Sequence, residues 1–237
     1  MVYRLALVEY LNTYPFSEGM RLSGFEIKAE IHRVTPALCA RLFLEGKVDI
    51  SLCPVGALDE MPDHEICGQY CVGADGEVGT VLLLSQVPIE QIAKVKLDNH
   101  SRTSNLLLQI LAKHHWKKDW TYYFESPDKL PETCVMIGDK VFEQKKQFNY
   151  TYDLAEAWKS MTGLPMVFAL WIAKPHTPRD MIQSIDESFE LGIASVRDEN
   201  SPLEQWQKDY LLNCISYPRD EAKMEALRVF QSYSQTF

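Results

Sequence analysis

Met166-Val167-Phe168-Ala169-Leu170-Trp171-Ile172-Ala173 is an unbroken apolar run that follows the helix stop Gly163-Leu164-Pro165. A run of this length bounded by turn residues reads as a strand buried on both faces. Val78-Gly79-Thr80-Val81-Leu82-Leu83-Leu84-Ser85 is its counterpart earlier in the chain. Together they separate two α/β rhythms, which predicts two lobes joined by two extended crossings. The first lobe is expected to comprise residues 1–85 and 172–237, and the second residues 86–171.

The first rhythm starts with the strand Tyr3–Val8. It continues with an alternating strand over Gly24–Ile31 and a helix with Thr35 as cap, Pro36 in its first turn and Gly46 as its stop. Val48–Val55 and Ile66–Gly73 are the next strands, followed by a turn over Gly73–Glu77. The second rhythm has strand Val95–Leu97, a capped helix, strand Thr121–Phe124 and a buried strand from Cys134 that ends in Gly138-Asp139. A polar stretch, Glu143–Asn149, and a helix over Asp153–Thr162 complete it. The remainder is helical: Arg179–Leu191, Pro202–Leu212 and Arg219–Ser232. Strand–helix–strand order of this kind argues for parallel pairing, with ligands bound at the carboxyl ends of strands.

Composition narrows the function classes. With 46% hydrophobic and 24% charged residues over 237 positions, the chain is an ordinary globular protein. A net charge of −9 argues against nucleic acid or an anionic membrane as partner. No apolar run is long enough to cross a bilayer, and the strand-like start Met1–Val8 is not followed by a leader, so a cytoplasmic location is expected. The six cysteines contain no C-x-x-C pair and read as buried, reduced thiols. There is no G-x-G-x-x-G, P-loop, G-x-S-x-G or H-E-x-x-H pattern. Nothing in the sequence calls for a metal or a cofactor.

The segment Leu97-Asp98-Asn99-His100-Ser101-Arg102-Thr103-Ser104 opens the helix of the second lobe. Ser101 or Thr103 can cap it, which leaves free N–H groups and the positive end of the dipole for an anion. Arg102 adds a planar fork suited to a carboxylate. The competing reading is a well-capped helix with a solvated arginine. Asn12, at the end of the first strand, is either a ligand contact or a turn residue bonded to its own backbone.

Taken in order, several blocks resemble the chorismate dehydratases of the futalosine route to menaquinone. They are Tyr10-Leu11-Asn12-Thr13-Tyr14-Pro15-Phe16, Asp49-Ile50-Ser51-Leu52-Cys53-Pro54-Val55, Leu97-Asp98 with Ser101–Ser104, and Ile137-Gly138-Asp139. Tyr152-Asp153-Leu154 with Trp158, Thr162-Gly163-Leu164-Pro165 and Phe168-Ala169-Leu170-Trp171 complete the set. The resemblance runs from the start of the chain to about Trp171, and the C-terminal helices add nothing to it. It implies a two-lobed, periplasmic-binding-protein-like (type II) α/β fold with a ligand cleft, here intracellular. It also implies conversion of chorismate to 3-[(1-carboxyvinyl)oxy]benzoate and water without a cofactor, by a monomer or homodimer. The implied catalytic residues are Asn12 and Thr80, the latter standing where the family is expected to carry serine. The implied substrate-binding residues are Tyr10, Ser51, Pro54, Ser101, Arg102, Thr103, Ser104, Asp139 and Phe168.

The chemistry of chorismate is compatible with these residue types. Loss of the ring hydroxyl and the neighbouring ring proton yields a benzene ring, so aromatisation drives the reaction. The departing proton is vinylogous to the ring carboxylate, where preorganised donors would stabilise the developing charge. Asn12 and Thr80 could orient the second carboxylate or the departing hydroxyl. Two other readings compete: the dihydroxynaphthoate-forming cyclase of the same pathway, and a non-enzymatic protein that binds a small anion.

Overall fold

The computed structural model describes residues 3–124 and 130–237; Met1 and Val2, the first two residues of the strand-like start Met1–Val8, lie outside them. The chain runs through β1 (Tyr3–Val8), α1 (Tyr14–Leu22), β2 (Ala29–Val34), α2 (Pro36–Leu44), β3 (Ile50–Pro54), β4 (Glu65–Ala74) and β5 (Val81–Ser85). There follow β6 (Lys94–Lys96), α3 (Arg102–Leu111), β7 (Thr121–Tyr123), β8 (Thr133–Ile137), α4 (Val141–Gln144), β9 (Tyr150–Asp153) and α5 (Leu154–Thr162). The last elements are β10 (Met166–Ala173), α6 (Arg179–Ser195), α7 (Gln205–Asp209), β11 (Ser216–Pro218) and α8 (Glu221–Ser234).

The strands form two mixed sheets, one in the order β11-β4-β10-β3-β1-β2 and the other β7-β6-β8-β5-β9. β1 is parallel to β2 and β3, and β6 is parallel to β7 and β8. β10 lies antiparallel between β3 and β4, and β5 lies antiparallel between β8 and β9. All residues of β3, β5 and β10 are buried, because neighbouring strands close both edges and other layers cover both faces.

Sheet membership moves the expected lobe boundaries. Val81–Ser85 pairs within the five-stranded sheet and Met166–Ala173 within the six-stranded one. The crossings therefore precede these strands, at the turns Asp75–Thr80 and Gly163–Pro165, whereas the sequence pattern predicts that the strands themselves cross, with boundaries at 85 and 171. The second strand is also displaced. Gly24 takes φ +69° and starts a 3-10 turn over Phe25–Ile27, so pairing with β1 begins only at Ala29.

The core of the first lobe is aromatic. Trp171 stacks on Phe189 with centroids 5.0 Å apart, and Phe16 meets Phe189 at 4.3 Å and Tyr217 edge-on at 5.4 Å. Burying each such ring contributes roughly 1.5–3 kcal/mol. This cluster fixes the base of β1 and the loop after it, where the site begins. Among the described residues no helix is long and apolar enough to cross a membrane.

Candidate active site

A cavity of about 60 Å³ lies between the sheets. From the six-stranded side it is walled by Val8, Tyr10, Asn12, Thr13, Pro36, Leu52, Pro54, Val72, Phe168 and Ala169. Val78, Thr80, Val81, Ser101, Thr103, Ser104, Ile137 and Gly138 close it from the other side. Small-molecule pockets run to about 300–1,000 Å³, so the space between the lobes is tight in this structure. An open groove of about 960 Å³ adjoins the cavity at Val8, Tyr10 and Thr13. A second, of about 700 Å³, meets it at Ser101.

The loop after β1 carries Asn12 and is held from behind. The Tyr217 hydroxyl donates to the Asn12 carbonyl at 3.0 Å, and the Thr13 hydroxyl folds back onto the carbonyls of Val8 and Tyr10. With its backbone fixed in this way, the Asn12 side chain keeps Oδ1 buried and, among the described residues, without a hydrogen-bond partner. A buried polar atom left unpaired costs about 1–3 kcal/mol, a cost that a hydrogen-bonding ligand in the cavity would remove. With no partner fixing which end faces inward, it can present N–H to an acceptor. The Tyr10 ring lies over Gly138, where an added methyl would stand 3.0 Å from the ring. Burial and the nearby carboxylates push the Tyr10 phenol up to about 12.

Opposite stands the N-terminus of α3. Ser101 is its cap: Oγ accepts from the Ser104 N–H at 3.1 Å and donates to the Ser104 hydroxyl at 2.8 Å. The first N–H groups of the helix, on Arg102 and Thr103, have no intrahelical acceptor. The approach to the cap is braced by Asp98, which takes the His100 N–H at 2.8 Å and the Lys140 ammonium at 2.6 Å. Asn105 completes the brace by exchanging two hydrogen bonds with the Asp98 backbone. Thr80 enters from the crossing before β5. There Asp153 accepts from Val78 N and Gly79 N while capping α5 through Ala155 N and Glu156 N. Burial pushes the Asp153 carboxyl upward against these four donors.

Of the residues expected at the site, Tyr10, Asn12, Pro54, Thr80, Ser101, Thr103, Ser104 and Phe168 wall the cavity. Ser51, Arg102 and Asp139 do not. Leu52 and Pro54 face the cavity, so alternation along β3 turns Ser51 to the other face, where its hydroxyl donates to the Cys39 carbonyl at 3.1 Å. Arg102 points into the outer groove and pairs with Glu60 of the other lobe. Asp139 sits just past β8 in the 960 Å³ groove, where both carboxylate oxygens accept from Leu11 N at 3.1 Å. Its carboxyl is pushed upward by burial. Sequence reasoning missed Tyr210, whose hydroxyl lies 2.7 Å from that of Thr80. No pattern around residue 210 signals it.

Residues 3–235 match the family described as menaquinone biosynthesis. The chain belongs to the menaquinone biosynthesis family. Membership of the menaquinone biosynthesis family gives the chain a role in that pathway and implies an enzyme. The structure is similar to protein AF1704 from Archaeoglobus fulgidus, with TM-score 0.75 and 13% identity over 99% of this chain and 97% of that one. It is also similar to the alkanesulfonate-binding protein SsuA from Xanthomonas axonopodis pv. citri, bound to MOPS, with TM-score 0.65 and 13% identity over 99% and 91% of the two chains. A Candida albicans protein described as having the generic periplasmic binding protein fold matches with TM-score 0.62 and 8% identity, over 100% and 91%. These likenesses identify the fold: two lobes of a periplasmic-binding-protein type with the cleft between them.

Proposed function

We propose that this member of the menaquinone biosynthesis family is a chorismate dehydratase, a lyase that forms 3-[(1-carboxyvinyl)oxy]benzoate and water and needs no cofactor. One observation carries the reading. Among the described residues, the cavity wall holds the Asn12 amide, the hydroxyls of Tyr10, Thr80, Ser101, Thr103 and Ser104 and the start of α3, but no histidine, carboxylate or lysine. The apolar wall, with Leu52, Pro54, Val81, Ile137 and Phe168, suits a six-membered carbon ring. The helix start and the serines suit the ring carboxylate, where charge grows as the ring proton leaves. A wall without its own base suits a substrate that brings one. The enolpyruvyl carboxylate of chorismate lies next to the C–H bond that breaks, and Asn12 can hold it there through its amide N–H. The proton passes to that carboxylate, the carbon–oxygen bond of the ring hydroxyl breaks, and the departing oxygen takes a proton to leave as water. Fixing one reactant against another in this way contributes several kcal/mol, toward the lower end of proximity effects.

Incubating the purified protein with chorismate and following the aromatic product tests the proposal. Product formation without added metal or nucleotide is the expected result. No product from chorismate, with binding of another small anion, would leave a binding protein instead.

A further inference from the structure

Tyr210 lies outside every sequence block that pointed to the site, in the turn of π-helix Tyr210–Cys214 after α7. Its ring is packed edge-on against Phe142 with centroids 5.2 Å apart, and its hydroxyl stands 2.7 Å from Thr80 Oγ1. Both residues are buried, Thr80 at 1% and Tyr210 at 6% exposure. Among the described residues, Thr80 is the hydrogen-bond partner of the Tyr210 hydroxyl, and Tyr210 that of the Thr80 hydroxyl.

The 2.7 Å contact can run in either direction, since each hydroxyl can donate. An acceptor in the cleft decides it: Thr80, which lines the cavity, can donate to that acceptor, and the Tyr210 phenol, whose partner among the described residues is Thr80, then donates to Thr80 rather than leave its O–H unpaired at a cost of about 1–3 kcal/mol. Thr80 Oγ1 is then the acceptor, and its own proton is turned away from Tyr210. Thr80 lines the cleft, and among the described residues no protein acceptor receives that proton.

We propose that Tyr210 is a positioning residue of this site: it holds the Thr80 hydroxyl as a donor aimed at the oxygen that leaves the substrate ring. The proposal rests on the dehydratase reading. Burial pushes the phenol upward, with Asp139 and Asp153 adding to the effect and the Thr80 hydrogen bond opposing it, so Tyr210 stays neutral at working pH. It therefore supplies a hydrogen bond and not a proton. The ring proton goes to the enolpyruvyl carboxylate, the carbon–oxygen bond breaks with its electron pair on oxygen, and the carboxyl returns the proton to that oxygen. Tyr210 and Thr80 end the cycle unchanged. Two hydroxyls in series polarise each other, so the second donor strengthens as charge builds on the leaving oxygen.

Tyr210→Phe keeps the ring and removes only the hydroxyl. It should lower kcat about tenfold, the rate equivalent of one hydrogen bond, with KM and melting temperature nearly unchanged. In a Thr80→Val background the same change should have no further effect on kcat, whereas in Thr80→Ser it should keep its full effect. The same factor in all three backgrounds, or a fall in melting temperature with kcat intact, overturns the proposal. A wild-type protein inert toward chorismate overturns the dehydratase reading and this proposal together. An active wild type indifferent to Tyr210→Phe overturns this one alone.

Discussion

Gly56 and Thr103 meet backbone to backbone across the cleft: a methyl added at Gly56 would stand 2.9 Å from the Thr103 Cα and 3.0 Å from its nitrogen. Gly56 N–H donates to Thr103 Oγ1 at 3.1 Å, and that hydroxyl donates on to the Phe168 carbonyl at 3.1 Å. The carbonyl belongs to a residue where β10 slips register against β4, between Val167 and Ala169. A bulge of this kind re-aims one residue of a strand. Here it accompanies a contact between β10, in one lobe, and the start of α3, in the other.

Gly56→Ala should therefore hinder closure more than it harms folding. Overpacking of a tight contact costs about 1–3 kcal/mol, which corresponds to a loss of kcat/KM of roughly five- to 150-fold. Scattering tests the cause directly. Wild type should become more compact when the aromatic product is added, and Gly56→Ala should not. Equal compaction in both proteins would dissociate this contact from closure.

Arg102→Ala is expected to behave differently. The guanidinium lies about half exposed in the outer groove and pairs with Glu60, and surface ion pairs contribute about 0–1 kcal/mol. The change should cost less than about fivefold in kcat/KM, and higher salt should reduce the difference. A loss of a hundredfold or more would mean that the arginine reaches the substrate in the open or bound form.

Local chemistry made much of the fold legible. Ser101 before an apolar stripe is a cap, Pro36 sits in a first helical turn, and Gly163 at φ +76° ends α5. What failed was register and direction. Alternation in β3 decides whether Ser51 or Leu52 meets the cavity, and the sequence block alone leaves that phase open. Arg102 and its neighbours share one helix start, but successive residues point about 100° apart around a helix, so Thr103 faces the cleft and Arg102 the groove. Tyr210 was beyond reach for another reason. Its contact with Thr80 joins residues 130 apart in sequence, and the helix carrying it has no composition that marks a site.

Asp49 gives a pH-dependent expectation. Burial opposes ionisation of this carboxylate, but hydrogen bonds from Arg4 and Lys174 outweigh it and hold the group at about 2. The unfolded chain takes up the same proton near pH 4. The folded state thus binds the proton less readily, and its advantage is complete above about pH 4 and lost as pH falls toward 2. Asp49→Asn should lower the melting temperature at pH 7, and its gap from wild type should narrow between about pH 4 and pH 2. A gap constant over that range would assign the loss to packing between β1 and the end of β10.

The last expectation concerns the base. Glu9 and His100 are the nearest candidates in sequence, and both are exposed; Glu9 lines the outer groove and not the cavity. Tyr10, the titratable side chain in the cavity wall, is held protonated by a shift up to about 12. If the substrate's own carboxylate takes the proton, no protein group titrates in the rate between about pH 6 and pH 9, because that carboxylate ionises well below this range. The profile of kcat should then be flat there. Glu9→Gln and His100→Ala should each retain most of the turnover. Asn12→Ala should lose about a hundredfold or more, because it releases the carboxylate from its position beside the C–H bond. A rate that changes with pH across this range and loses that dependence in His100→Ala would place the base on the protein. Steady-state rates across this pH range, on wild type and the three variants, separate the two accounts.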